Sequence, residues 1–128
     1  MAKRRAKSKT LIYPGFLHLH RPLLNSEDFI SLKRNSIKLL IDIALQYNGY
    51  NNGDLCATLS VMKKRGWNSN QQLTKATKEL LEKNLIVLTK QGGLHMGPNL
   101  CAISWQPIDE CRGKLDVRST TLPPRRFK

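Results

Sequence analysis

The sequence predicts a mainly α-helical domain closed by one small β-hairpin, an α+β class. Three observations carry that expectation. Residues 34–49 (RNSIKLLIDIALQYNG) repeat apolar residues at helical spacing. Residues 69–83 do the same behind an S-x-x-Q capping signal. Two runs rich in branched and apolar residues, LIVLTK and LCAISW, then flank a turn-rich QGGLHMGPN segment, which is the pattern of a hairpin.

The elements follow in order. MAKRRAKSKT is too polar and charged to bury itself, so residues 1–10 read as a flexible basic arm. LIYPGFLHLHRPLL is broken by Pro14, Gly15 and Pro22. It is expected to lie extended over the domain, anchored by Tyr13, Phe16, Leu17 and Leu19. Asn25 or Ser26 caps a short helix through Phe29 and Leu32, with Glu27 and Asp28 in the first turn, where the helix dipole favours acids. In the 34–49 helix, Ile37, Leu40, Ile41, Ala44 and Leu45 share a face, and Leu39 and Ile43 widen it. This is therefore expected to be the most buried helix. Gly49, Asn51, Asn52 and Gly53 stop it and turn the chain. A very short strand near Leu55 precedes a helix over residues 58–65, with Leu59 and Met62 inward, Val61 beside them and Gly66 at the end. Trp67 plugs the junction with the next helix. Ser69 caps that helix and Gln72 completes a capping box, while Leu73, Ala76, Leu80 and Leu81 form its buried stripe. Asn84 stands where a left-handed residue ends a helix. The two strands come last, and Pro107 ends the second. The domain is expected to span residues 11–111, with 112–128 as a basic C-terminal tail.

Charge is the strongest global signal. The 128 residues carry 22 Lys and Arg against 9 Asp and Glu, a net charge of +13. Residues 1–9 hold five basic groups and no acid, and residues 112–128 hold six and one, so most of the excess lies in the two ends. Such a balance favours a polyanionic partner, nucleic acid first and anionic lipid second. No run reaches the roughly 18 apolar residues of a membrane span, and no apolar segment of a signal peptide follows the basic start. The three cysteines, Cys56, Cys101 and Cys111, form no CxxC pair and read as reduced thiols. A cytoplasmic, nucleoid-associated protein is expected.

Two helices joined by the short turn Gly66-Trp67-Asn68 and followed by a hairpin have the layout of a winged helix-turn-helix. In a helix-turn-helix the second helix enters the major groove, and its N-terminal residues reach base edges. Its first residues here are Asn68, Ser69, Asn70, Gln71, Thr74, Lys75 and Lys78. With Leu73, Ala76 and Leu80 inward, Asn70, Gln71, Thr74, Lys75 and Lys78 point away from the core. Asn and Gln can pair with adenine in bidentate fashion, Thr can touch a thymine methyl, and Lys can reach guanine or phosphate. Glu79 and Glu82 come later in the helix, held away from phosphates. Lys63, Lys64, Arg65 and Lys90 are candidates for gripping phosphate, and His95 stands at the hairpin tip. The plain alternative is a solvated helix whose Asn and Ser serve only to cap it.

Catalysis is not expected. The acid pairs Glu27-Asp28 and Asp109-Glu110 have no histidine nearby, and no Walker loop, GxSxG or GxGxxG is present. His18 and His20 form an HxH without further ligands, so no metal and no cofactor are expected.

At NNGDL, KKRGWNS, KELLEKNLI, TKQGG and SWQPIDEC the chain resembles small winged-helix proteins of proteobacteria and their mobile elements. These are similar to the N-terminal DNA-binding domains of phage and plasmid replication proteins. The resemblance covers roughly residues 11–118. It implies a winged-helix fold and binding of double-stranded DNA, in transcription regulation or mobile-element replication, with residues 68–78 as the recognition helix and 91–98 as the wing. One departure is that the tip carries Leu94, His95 and Met96 where basic residues are expected. That leaves room for a wing that meets protein, as a homodimer or with a replication or transcription partner. An RNA-binding or ribonucleoprotein module is the other alternative, against which stand the few aromatics.

Overall fold

A computed structural model describes residues 15–128 of the chain. The basic arm and the anchor Tyr13 lie outside the described residues. The rest is an α+β domain: five helices and a two-stranded antiparallel hairpin.

The helices are α1 (Arg21–Leu24), α2 (Glu27–Ile30), α3 (Arg34–Ala44), α4 (Leu59–Met62) and α5 (Asn70–Glu82). α1 replaces part of the expected extended segment. Its proline sits in the first helical turn, where the missing N–H costs nothing, and Leu23 is fully buried. Ser26 caps α2, its hydroxyl accepting from the Phe29 amide at 3.2 Å.

α3 packs on α5, but its buried face is rotated from the expected one. Leu39, Leu40, Ile43 and Ala44 are fully buried, Ile37 and Ile41 are only half-buried, and Leu45 is exposed. The burial of Ser36 and Asp42 explains the rotation. Both polar residues find partners on the α4–α5 side, so that side can be turned inward without leaving a buried polar group unpaired.

The expected helix over 58–65 is α4 followed by a 3-10 turn at Lys63–Arg65, and Val61 lies at its surface. Gly66 ends it with φ +93°, a backbone state that a side chain would resist. Met62 is fully buried and Leu59 packs against the core from its edge. In α5, Leu73, Ala76 and Leu80 are buried, Leu81 is half-buried, and Asn84 takes the left-handed conformation at φ +56°.

β1 (Ile86–Lys90) and β2 (Leu100–Ile103) pair antiparallel, Ile86 opposite Ile103 and Leu88 opposite Cys101, with an irregularity before Lys90. Leu55 bridges Cys101 on the other edge of β2, donating and accepting one backbone bond. Asn52 fastens this edge. It is fully buried, its amide nitrogen donates to the Ile103, Gln106 and Pro107 carbonyls, and its amide oxygen accepts from Ile103 N–H. Its backbone N–H donates to the Asp109 carboxylate at 2.8 Å.

The segment expected as a tail runs along the domain. Asp116 N–H donates to Thr89 O, Thr120 N–H to Ile108 O, and Arg125 N–H to Ser104 O. The Arg125 guanidinium donates to Lys83 O, the C-cap of α5, and pairs with Asp28 of α2 at 2.7 Å. Phe127 packs against the core. Of this segment's basic groups, Arg125 is thus tied to the domain, as is Lys114, whose Nζ pairs with Asp54 at 3.0 Å. Among the described residues no helix is long and apolar enough to cross a membrane.

Candidate nucleic-acid interface

α5 begins with a cap of one bond. The Ser69 hydroxyl accepts from Gln72 N–H at 3.2 Å, while the Gln72 side chain makes no return bond among the described residues. Asn68, Asn70, Gln71, Thr74, Lys75 and Lys78 are all exposed, and Ser69 is half-buried. The Thr74 hydroxyl donates back to Asn70 O at 2.9 Å. That bond uses the hydroxyl's proton within the helix, so Thr74 has its methyl and a hydroxyl lone pair left to offer. Lys75 and Lys78 have no ionic partner among the described residues, nor do Lys63 and Lys64 at the end of the preceding turn. From residue 55 to residue 78 the chain contains five basic residues and no acid. A surface of this kind presents unneutralised positive charge beside amide groups that both donate and accept.

Two of the expected phosphate grips are otherwise engaged. Arg65 donates through Nε to Asp42 at 3.0 Å. Lys90 is three-quarters buried in its side chain, and its Nζ lies 3.9 Å from Asp116, which also accepts from Gln91 N–H. His95 is exposed on the tip, with φ +65°.

The residue that positions the junction is Asp42, which sequence reasoning passed over. Its carboxylate is 2 % exposed and takes three bonds: from Lys38 Nζ at 2.7 Å, Arg65 Nε at 3.0 Å and Trp67 Nε1 at 2.8 Å. Lys38 also donates to Arg65 O and lies over the Trp67 ring. Burial pushes the Asp42 carboxyl up, but the bonds from Lys38, Trp67 and Arg65 outweigh it and hold the group below the usual carboxylate range. Asp42 thereby fixes Arg65 and Trp67, the residues on either side of Gly66, and so sets the angle at which the chain enters α5. The available signal was an acid in an otherwise apolar helical face, four residues after Lys38.

Glu79 is the second residue of this kind. It accepts from the Ser36 hydroxyl and from Lys33 N–H at the start of α3, and it pairs with Lys83. Burial pushes its carboxyl up, yet these bonds hold it below its ordinary value. A carboxylate there also suits the positive end of α3. Glu79 is thus kept from the open face of α5 by a specific task, not only by its distance along the helix.

An open cleft of about 410 Å³ separates α5 from the hairpin. Its walls are mostly apolar, with Leu81, Ile86 and Leu88 among them, and Asn70, Lys78 and Asn99 also line it. No group of three or more His, Cys, Asp or Glu suited to a metal occurs among the described residues.

No family model matches the chain, and no curated protein or solved structure matches it. The arrangement itself therefore carries the functional reading.

Proposed function

We propose that the chain is a winged helix-turn-helix that binds double-stranded DNA without catalysing a reaction. α4 and α5 are the two helices of the motif, and the β1–β2 hairpin is the wing. Asn70, Gln71, Thr74, Lys75 and Lys78 meet the major groove, and Lys63 and Lys64 meet the flanking phosphates. The observation that carries this reading is the outer face of α5. Its N-terminal half is exposed, built of amide, methyl and ammonium groups, and continuous with an acid-free stretch of chain. Base edges in the major groove take those three kinds of contact. A merely solvated helix would more often mix its lysines with glutamates, and here the two glutamates fall in the second half. Transcription regulation or mobile-element replication is the biological setting that the sequence resemblance suggests.

The test is selection of binding sites from random duplex DNA at moderate and high salt, beside an RNA pool. A short motif that survives the higher salt supports base reading by α5. Enrichment from the RNA pool instead, or binding that is equal for all duplexes and vanishes with salt, refutes it. The double change Lys75→Ala, Lys78→Ala is expected to erode sequence preference. It is also expected to flatten the salt dependence by about 0.9 in log–log slope for each of the two lysines that contacts phosphate.

A further inference from the structure

We propose that the hairpin tip is an apolar wedge that enters the minor groove of the bound duplex and parts a base step. This rests on the DNA-binding reading above. Leu94 is 85 % exposed and Met96 58 %, close together on one turn. A scattered exposed apolar residue is ordinary. Two on one narrow tip of fixed backbone are a presented surface.

The tip is held by its own bonds. Gly93 N–H donates to Gly97 O at 3.1 Å, and Met96 N–H donates to Gly93 O at 3.0 Å. Below them Gly92 N–H donates to Asn99 Oδ1 at 2.6 Å. Gly92 also lies so close to the returning chain that a Cβ there would collide with Gly97 O and the Pro98 carbonyl carbon. Backbone order that already exists is not a cost of insertion, so only the side-chain rotamers of Leu94 and Met96 remain to be fixed on entering a groove.

Position selects the occupant, and the charge of the tip does not oppose it. Asn99, at the base of the tip, lines the same cleft as Asn70, the first residue of α5. The tip base and the face of α5 that carries Asn70, Thr74 and Lys78 therefore border one open cleft. With α5 in a major groove, the tip falls toward the adjacent minor groove. No acid occurs from residue 91 to residue 108, so nothing on the tip itself repels phosphate. Asp116, at the base, is engaged by Gln91 N–H and Lys90. Leu and Met are among the side chains that enter minor grooves as wedges, unstacking one step and kinking the duplex by roughly 20–90°.

The experiment uses the full chain and two end-labelled duplexes, one of alternating TpA steps and one of A-tracts. TpA steps kink readily and A-tracts are stiff. Binding is titrated and bending is read by end-to-end fluorescence transfer. The unaltered chain is expected to bend the TpA duplex by roughly 20–90° and to bind it about tenfold more tightly than the A-tract duplex. Leu94→Ala with Met96→Ala is expected to abolish the bend and the preference while still binding DNA. Leu94→Met with Met96→Leu keeps the apolar bulk and is expected to keep the bend. A chain that binds both duplexes without bending either overturns the wedge and leaves the DNA-binding reading standing. So does a double alanine variant that bends as the unaltered chain does. A double alanine variant that bends DNA normally but loses binding to anionic lipid vesicles assigns the tip to a membrane surface and likewise overturns the wedge. No binding to either duplex, with none recovered from the random pool, overturns the DNA-binding reading and the wedge with it.

Discussion

Asp42→Ala is the change whose cost the structure allows one to work out part by part. Three donors lose one acceptor. Trp67 is 5 % exposed, so its indole N–H is left without a partner in a place water reaches poorly, a loss of about 1–3 kcal/mol. Lys38 and Arg65 differ from it, because their side chains are 49 % and 50 % exposed. Their ammonium and guanidinium groups can return to water, so each pair contributes only about 0–1 kcal/mol. The desolvation of the carboxylate itself is no longer required, which offsets part of the sum. The expected net loss is about 2–3 kcal/mol, dominated by the indole and not by the ion pairs. Urea unfolding of the two proteins measures it. Trp67→Phe keeps an aromatic ring but removes the pyrrole with its donor; the lost volume is common to both arms of the cycle, so Asp42→Ala should cost about 1 kcal/mol less in that background than in the parent. A loss below about 1 kcal/mol in the parent, or an equal loss in both backgrounds, would refute the assignment of Asp42 as the acceptor that fixes the junction.

Three further outcomes are expected. Asp42 and Glu79 both have lowered folded-state values, so their stabilisation is complete above the unfolded carboxylate values of about 4 and is lost as pH falls through the folded ones. Unfolding followed from pH 7 downward should therefore steepen below about pH 4, and Asp42→Asn should flatten that limb; an unchanged profile would count against it. Asn52→Ala removes four side-chain bonds from a fully buried site and is expected to cost more than 3 kcal/mol, enough to leave little folded protein in a thermal melt; a change under about 1 kcal/mol would mean water replaces the amide. Burial pushes the Cys101 thiol up to about 12 and the Cys111 thiol up to about 11, so both should resist iodoacetamide at pH 8 until the protein is unfolded; rapid modification of Cys101 in the folded state would contradict its burial.

Much of the fold was legible because it is written locally. Periodicity located α3 and α5, Ser69 and Asn84 marked the two ends of α5, and branched residues flanking a glycine-rich turn marked the hairpin. The outward set on α5 followed from the same periodicity, since Leu73, Ala76 and Leu80 fix which way the others face. What escaped was tertiary. The rotation of α3 depends on partners that Asp42 and Ser36 find on α5 and at the α4–α5 junction, beyond any window of the helix. Arg125 and Phe127 read as tail residues by composition, and only the shape of the domain gives them Asp28, the Lys83 carbonyl and an apolar edge to meet. Arg65 and Lys90 read as free cations, since sequence does not reveal which acid lies next to which base in space.

The Asn52 anchorage bears on the order of events when the chain folds. Its bonds join residues 51 to 57 positions apart, whereas the helical bonds on either side span only a few. Closing so long a loop is slow and entropically costly, and short-range contacts form ahead of it. The individual helices can therefore form first, with Asn52 locking the return of β2 afterwards. Interactions made after the transition state govern how fast a protein comes apart more than how fast it assembles. The turn that carries Asn52 is far from the outer face of α5 in sequence and in task. Its bonds thus contribute to the lifetime of the folded state, and with it to how long that face remains presented once formed.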